Sequence, residues 1–406
     1  MYSPAIVERN IENLEQASNI RLERHSVELV AEMSAKLQPL RQPDGRLARP
    51  LTREEQEFIR SEVLISKYDF RYWFERYYTA PRDGREGGGV GKLKLWESQE
   101  LLLRLIAKAE QQENERFAEH GIADGILIVD HKDRQIGHTG LCRALVIHRV
   151  TLWLHERTVT GSIDEKRIES IYEKDKLALE SLPWWMSDPL IFDVKSEHLK
   201  LQNGSTITYL QSNMKQSFGQ SFQFDVAHLT ECSEWPYPAM IEVDLLPTLP
   251  QSPRTLCILE SRANGRQNWW CEFSESVRRG RKLRWRYSFI PWYAEKRKYC
   301  RVSPAGWTPT DLSMAYARRV HETSAEFIGR HVYLPKEQLY WWETTRQEYI
   351  ESDSLNLFLT NYAATPEESF QHTGGSAFSV EVLEKLRDRA MGPVGLGQAA
   401  YEFEAA

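Results

Sequence analysis

"ILIVDHKDRQIGHTGLCRAL", residues 126–145, decides how this chain is read. Four apolar residues run into a polar loop that holds one glycine, a threonine and several basic or imidazole groups. An apolar run at helical spacing follows. Strand, loop and helix in that order outline a phosphate-binding turn, where backbone N–H groups and the positive end of a helix face an anion. The lysine of G-x-x-x-x-G-K-[ST] is absent, and His138 stands in its place. Spacing alone leaves two readings open, a nucleotide loop and an ordinary polar turn with solvated basic residues. In the first, the strand ends near Asp130 and the helix begins near Thr139. Thr139 then caps the helix and offers its hydroxyl to Mg²⁺, while Lys132, Arg134 and His138 bring positive charge.

A chain of 406 residues can bury one large core or two modest ones. No apolar run approaches the roughly 18 residues of a membrane span, and "MYSPAIVERNIENLEQ" is not expected to act as a secretory leader. The five cysteines, Cys142, Cys232, Cys257, Cys271 and Cys300, form no C-x-x-C pair. That argues against a zinc site or disulfide framework and fits a reducing cytoplasm. Net charge is −6, so contact with nucleic acid needs a local basic patch.

Residues 5–38 carry apolar positions three and four apart and read as one helix. "QPLRQPDGRLARP" breaks it, and Thr52, followed by acidic residues, starts another. "TAPRDGREGGGVGKLK" reads as a glycine-rich loop that closes a helical N-terminal region, 1–90. From 91 to 380 the chain alternates. Helices are expected in "LWESQELLLRLIAKAEQQ", "LCRALVIHRVTLWLHE" and "DEKRIESIYEKDKLALESL". Strands are expected in "GILIVD", "FDVAHLTE", "RTLCILES" and "LRWRYSFI", with a hairpin in "LKLQNGSTITYL" turning at Asn203-Gly204. This alternation predicts an α/β fold, a mostly parallel sheet covered by helices, beneath a helical N-terminal cover. Ligands then gather at the carboxyl ends of the strands. Residues 381–406 read as a linker or the start of a further domain.

"GGGVGKL" (87–93) imitates a phosphate loop. Its glycines are one residue too close, Leu93 takes the place of the magnesium-binding hydroxyl, and no apolar strand precedes it, so it reads as a flexible loop. "FDVAHLTECSEWP" (224–236) is more informative, because its apolar strand ends in Glu231. A carboxylate there can orient and deprotonate water for phosphoanhydride hydrolysis; the plainer alternative is an exposed strand-end glutamate. Thr230 stands where an aspartate usually precedes such a glutamate. Asp225 cannot replace it, since five strand residues span about 16 Å and an odd offset points to the other face. The pairs Trp184-Trp185 and Trp269-Trp270 read as core or interface.

In their order along the chain these motifs resemble the ATPase portion of the large terminase subunit of tailed phages, the motor that drives DNA into the procapsid. "KDRQIGHTGL" is similar to that family's variant Walker A, K-x-R-Q-x-G-x-[ST], whose early lysine corresponds to Lys132. "HLTECSEW" resembles its Walker B, H-L-S-E-x-A-x-W, with Glu231 as the catalytic carboxylate. "LESRANG" (259–265) is similar to the coupling motif E-S-T-A-N-G, with Arg262 in place of threonine. "LWESQELLL" resembles the adenine-side motif, carried by Gln99. "FIPWY" (289–293), "LPKEQLYWW" (334–342) and "NYAATPEESFQHTGGSAF" (361–378) resemble the blocks that follow, so the resemblance covers about residues 65–380.

The resemblance implies a P-loop NTPase that uses ATP and Mg²⁺. It implies Gln99 at the adenine. Lys132, Arg134, Gln135, Gly137, His138 and Thr139, with the backbone amides of 133–139, would surround the phosphates, and Thr139 would hold Mg²⁺. Ser261, Asn264 and Gly265 would pass the loss of the γ-phosphate to a DNA-gripping surface. Double-stranded DNA, a portal protein and a small terminase subunit are the implied partners. A homo-oligomeric ring at the procapsid portal in the host cytoplasm is the implied setting, with no membrane. Large terminases generally continue into an RNase H-like nuclease, so DNA cleavage is not expected of these 406 residues.

Basic residues concentrate at 278–286. Arg278, Arg279, Arg281, Lys282, Arg284 and Arg286 are the candidate contacts to DNA phosphates, against the alternative of a strand edge guarded by charge. Two other functions stay open: another DNA-dependent ATPase or helicase would share the loop and Glu231. A non-hydrolysing DNA-binding scaffold of the same fold is kept open by His138, Thr230 and Arg262.

Overall fold

Residues 1–84, 87–186, 198–212, 223–296 and 298–370 are described by a computed structural model. Four helices come first, α1 (Pro4–Ser18), α2 (Val27–Leu37), α3 (Arg53–Tyr68) and α4 (Phe70–Tyr77). The short strands β1 (Thr79–Pro81) and β2 (Val90–Lys92) lead to α5 (Glu97–His120). Then come β3 (Ile126–Lys132), α6 (His138–Leu152), β4 (Arg157–Ser162) and α7 (Glu165–Glu180). After them follow β5 (His198–Lys200), β6 (Thr206–Gln211), β7 (Val226–Thr230), β8 (Leu256–Ser261), α8 (Trp269–Arg278) and β9 (Trp285–Ile290). The helices α9 (Asp311–Ile328), α10 (Lys336–Glu351), α11 (Leu355–Asn361) and α12 (Pro366–Ser369) complete the described chain.

Three expectations about the N-terminal region change. Residues 5–38 form two helices, because Asn19 turns left-handed at φ 49° and closes α1, while the Ser26 side chain caps α2. The helix that starts behind Thr52, held by a capping box with Glu55, is divided at Asp69, whose carboxylate caps α4. The glycine-rich stretch is not simply a loop. Val90–Lys92 pairs antiparallel with Thr79–Pro81, and Lys92 Nζ donates to the Tyr77 carbonyl at 2.6 Å.

The main sheet has seven strands in the order β5-β6-β4-β7-β8-β3-β9. β6, β4, β7, β8 and β3 run parallel, and β5 joins β6 antiparallel through the expected turn, where Gly204 has φ 81°. This is the expected mostly parallel sheet covered by helices. Strands covered on both faces need continuous apolar runs, and every residue of β7 and β8 is buried. α6 is buried at nearly every position, as expected of a helix wrapped on all sides. Its polar residues survive there by pairing. Arg143 meets Asp175, Arg149 meets Glu156, and His148 Nε2 meets the Ser66 carbonyl.

The chain forms two compact units. One holds residues 1–131, 135–261 and 273–288, hence the N-terminal helices and the sheet; the other holds 132–134, 262–272 and the described residues from 289 onward. Residues 371–378 of the last terminase-like block and the expected linker 381–406 lie outside the described residues. Among the described residues no helix is long and apolar enough to cross a membrane.

Candidate nucleotide site

The loop that opens the sequence reading runs from the end of β3 at Lys132 to the start of α6 at His138. Gly137, left-handed at φ 80°, occupies the N-cap position. The expectation that Thr139 caps the helix is therefore corrected: the helix begins one residue earlier and Thr139 lies half-buried in its first turn. Gln135 is also left-handed, at φ 56°.

The first turn of α5 braces this loop from behind. Ser98 Oγ donates to the Ile136 carbonyl at 2.8 Å, and Gln99 Nε2 donates to the Gly137 carbonyl at 2.8 Å. Gln99 Oε1 accepts from the Trp96 amide at 3.0 Å. A trans peptide sets each N–H opposite the preceding carbonyl. With the carbonyls of 136 and 137 turned toward α5, the amides of Gly137 and His138 point to the other side, at a helix N-terminus. That is the arrangement an anion needs. A Cβ on residue 137 would come within 2.9 Å of Gln99 Nε2 and Trp96 Cε3, so glycine is required by contact as well as by φ.

His138 was expected among the phosphate contacts. Its side chain is fully buried instead, with Nδ1 2.7 Å from Asp130 Oδ2 and Nε2 2.9 Å from the Ser98 carbonyl. Both ring nitrogens are spent inside the protein, so only its backbone amide is left for a ligand. Gln99, expected at the adenine, is 5 % exposed and has both ends of its carboxamide engaged, one on the loop and one on the Trp96 amide at the start of its own helix. Arg134 and Gln135 are exposed and Lys132 is half-buried.

Within the second unit, the residues on either side of the loop's start are tied down. The Asp133 amide donates to the Ile290 carbonyl and the Arg134 amide to the Asn361 carbonyl. Those two amides are thus committed, which narrows the expected cradle of 133–139 to the amides from 135 onward. Asp133 Oδ2 accepts from the Trp292 amide at 2.8 Å, and burial pushes its carboxyl well above the usual range. The buried Asn361 also receives Arg262 on its Oδ1 at 3.0 Å. Arg262, the departure from the coupling motif, therefore has a partner. Asn268 Nδ2 donates to the Gly265 carbonyl at 3.0 Å and also to that of Asn264.

Back in the first unit, register fixes where Glu231 emerges. Thr230 pairs with Glu260 across β7 and β8, and Glu260 with Asp130 across β8 and β3. Glu231 thus follows β7 level with His131, two strands away, which at the usual strand spacing is about 10 Å. Its backbone is left-handed at φ 58°, an uncommon conformation for a side chain of this size. Arg167 Nε lies 2.7 Å from Glu231 Oε2. Ser261, one residue past Glu260, accepts from the Ser233 amide at 3.0 Å and donates to Ser233 Oγ at 2.9 Å. The end of β8 is thereby fastened to the turn that follows Glu231.

Beneath this edge lies a buried polar relay. Tyr209 and Arg143 both donate to Asp175, Arg143 Nη1 donates to His228 Nδ1 at 3.3 Å, and His228 Nε2 faces Glu260 Oε1 at 3.3 Å. Cys142, His228 and Glu260 bring donor atoms within 4.8 Å of one another, close enough to suggest a metal. Arginine can only donate, so His228 Nδ1 is the acceptor and Nε2 carries the proton toward Glu260. That tautomer leaves no lone pair for an ion on the nitrogen facing Glu260.

The basic segment 278–286 is heavily ion-paired. Arg278 and Arg279 meet Glu275, Lys282 meets Glu242, Arg284 meets Asp124, and Arg286 meets Glu113. Arg281 is exposed.

No family model matches this chain, and no curated protein matches it. Among solved structures it is similar to the large terminase of bacteriophage HK97, with 10% identity and a TM-score of 0.49 over 74% of this chain and 55% of that one. A mutant large-terminase ATPase domain from Thermus phage P74-26 matches with 13% identity and a TM-score of 0.38, over 61% of this chain and 92% of that one. The unmutated domain matches with 12% identity and a TM-score of 0.35, over 67% and 99%. This chain thus spans about half the length of the HK97 protein.

Proposed function

We propose that this chain is an ATP-hydrolysing motor of the large-terminase type, which moves double-stranded DNA into a procapsid. The observation that carries the reading is the braced loop at the start of α6, with its Gly137 and His138 amides turned outward, following a strand whose His131 stands level with Glu231 two strands away. The seven sequence blocks in terminase order support the assignment to that family. ATP would be held by the amides from 135 to 139, with Lys132 and Arg134 supplying charge, and Thr139 would ligate Mg²⁺. Bound Mg²⁺ supplies charge neutralisation on the phosphate oxygens. Glu231 would take a proton from the attacking water. Ser261, Asn264 and Gly265 would carry the change at the phosphates onward, Ser261 through its link to the turn behind Glu231. Gln99 would act on the adenine only while holding the loop. The portal protein, a small terminase subunit and a ring of copies in the host cytoplasm complete the proposal.

ATP turnover with and without duplex DNA tests it. The wild type should hydrolyse ATP faster with DNA. Glu231→Gln should still bind ATP while turnover falls about 100-fold or more, the usual consequence of losing a general base. Unwinding of a forked duplex would favour a helicase, and binding of DNA without any turnover would favour a scaffold.

A further inference from the structure

We infer that the cleft at the amino-terminal ends of the parallel strands, lined by Arg149, Arg157 and Arg254, is a second anion site that takes a phosphate group. The cleft encloses about 200 Å³ and also carries Glu156 and Asp225. Its place follows from the topology. Arg157 opens β4, while Asp225 and Thr255 immediately precede β7 and β8. Ile126 pairs with Leu256 at this end of the sheet and His131 with Ser261 at the other, five residues or about 16 Å along the strands. The carboxyl ends, where Glu231 emerges, are thus remote from the cleft, and the inference stands apart from the ATPase reading.

The arginines are held by their neighbours and left with charge to spare. Arg149 is 1 % exposed, with Nη2 on Glu156 at 2.9 Å and Nη1 on the Arg254 carbonyl at 2.8 Å. Arg254 shares the same Glu156 through its own Nη2, and its guanidinium lies 3.9 Å from the centre of the Trp153 ring. Arg157 pairs with Asp225 at 3.4 Å. The Lys67 ammonium lies 4.4 Å from the centre of the same Trp153 ring and meets no carboxylate among the described residues. Four cationic groups therefore gather around two carboxylates, one of which is divided between two arginines. Burial and Arg149 hold the Arg254 guanidinium below its ordinary value, and burial and Arg254 do the same to the Lys67 ammonium. A bound anion relieves that repulsion. Arg254 and Arg157 are 47 % and 44 % exposed. Nε and Nη1 of Arg254 and Nη2 of Arg157 have no acceptor among the described residues. Guanidinium forks match phosphate oxygens in pairs. The surplus of two positive charges also matches a terminal phosphate, which carries about −1.5 to −2 near neutral pH.

Thermal unfolding of the full chain against inorganic phosphate, with sodium chloride of equal ionic strength as the reference, tests it. A ligand that binds only the folded state raises the midpoint, so phosphate should raise it more than chloride does. In Arg254→Ala the apparent phosphate Kd should weaken about tenfold, the loss of one charge-assisted contact. Lys67→Met strands no carboxylate and should weaken phosphate in the same direction, which separates loss of the site from a folding defect at Glu156. The Arg254-dependent response should remain in Lys132→Ala, where the proposed nucleotide loop is damaged. A short DNA duplex added as competitor distinguishes the sources: competition assigns the site to phosphates of DNA, and its absence to a small phosphorylated ligand. Equal responses to phosphate and chloride overturn the inference. So does a phosphate response that survives in both Arg254→Ala and Lys67→Met and is lost in Lys132→Ala, because it then belongs to the nucleotide loop.

Discussion

Two stretches of this chain combine glycine with lysine, and they are built on opposite terms. Residues 87–93 hold four glycines and Lys92. Gly87, Gly88 and Gly89 all have positive φ, yet a Cβ on any of them would meet nothing within 4 Å. Lys92 is folded back onto the Tyr77 carbonyl, and burial lowers its ammonium to about 8. The stretch 132–139 holds one glycine. There Ser98, Gln99 and Trp96 press on the backbone of 136–138, and the two carbonyls are pinned so that the following amides face outward. The difference teaches that what stands behind a loop decides whether its amides are aimed outward. Glycine count reports backbone freedom, whereas an anion site needs backbone groups that are already aimed.

Removing a brace should break that contrast most severely. His138→Ala deletes a side chain whose two nitrogens are both engaged, and it leaves the buried Asp130 carboxylate without its partner. Breaking a buried pair from one side costs about 3–5 kcal/mol, so the urea unfolding midpoint should drop sharply. A loss below about 1 kcal/mol would mean the loop is not supported from behind. A change at the surface should do far less. Arg284→Ala with Arg286→Ala removes two basic residues already paired with Asp124 and Glu113. Two unpaired phosphate contacts would change the slope of log DNA affinity against log salt by about 1.8. The existing pairs should hold the change below about one. A shift near two would show that DNA displaces those carboxylates, and that 278–286 is the gripping surface after all.

Much of the fold was legible because its signals are local. The apolar runs of β3, β7 and β8 read as strands, Asn203-Gly204 as a hairpin turn, and Thr52 with the acidic residues behind it as a helix start. Two of the misreadings were set by a single polar residue inside a helical pattern, Asn19 and Asp69, each of which ends one helix by its backbone angle or starts another by capping it. At the candidate site, the succession of strand, loop and helix was legible and the support of the loop was not. Ser98 and Gln99 act on residues 38 positions away in the chain, and a serine in the first turn of a helix looks like any other. His138 could be seen to replace the usual lysine, but whether it faced ligand or core depended on Asp130 and on that distant helix. The ion pairs of 278–286 draw on Glu113, Asp124 and Glu242, again far off in sequence, so a cluster of one sign looked barer than it is. Arg167 carried no motif at all; its only mark was a place three residues after a capping aspartate.

The central claim is that the nucleotide lysine is Lys132, in the braced loop, and not Lys92 in the glycine-rich one. Titration of a fluorescent ATP analogue against wild type, Lys132→Ala and Lys92→Ala measures it directly. Lys132→Ala should weaken binding by about 1.5–3 kcal/mol, the usual worth of a charge-assisted hydrogen bond, and Lys92→Ala should bind within about twofold of wild type. Equal losses at both lysines, or a loss at Lys92 alone, would contradict the account.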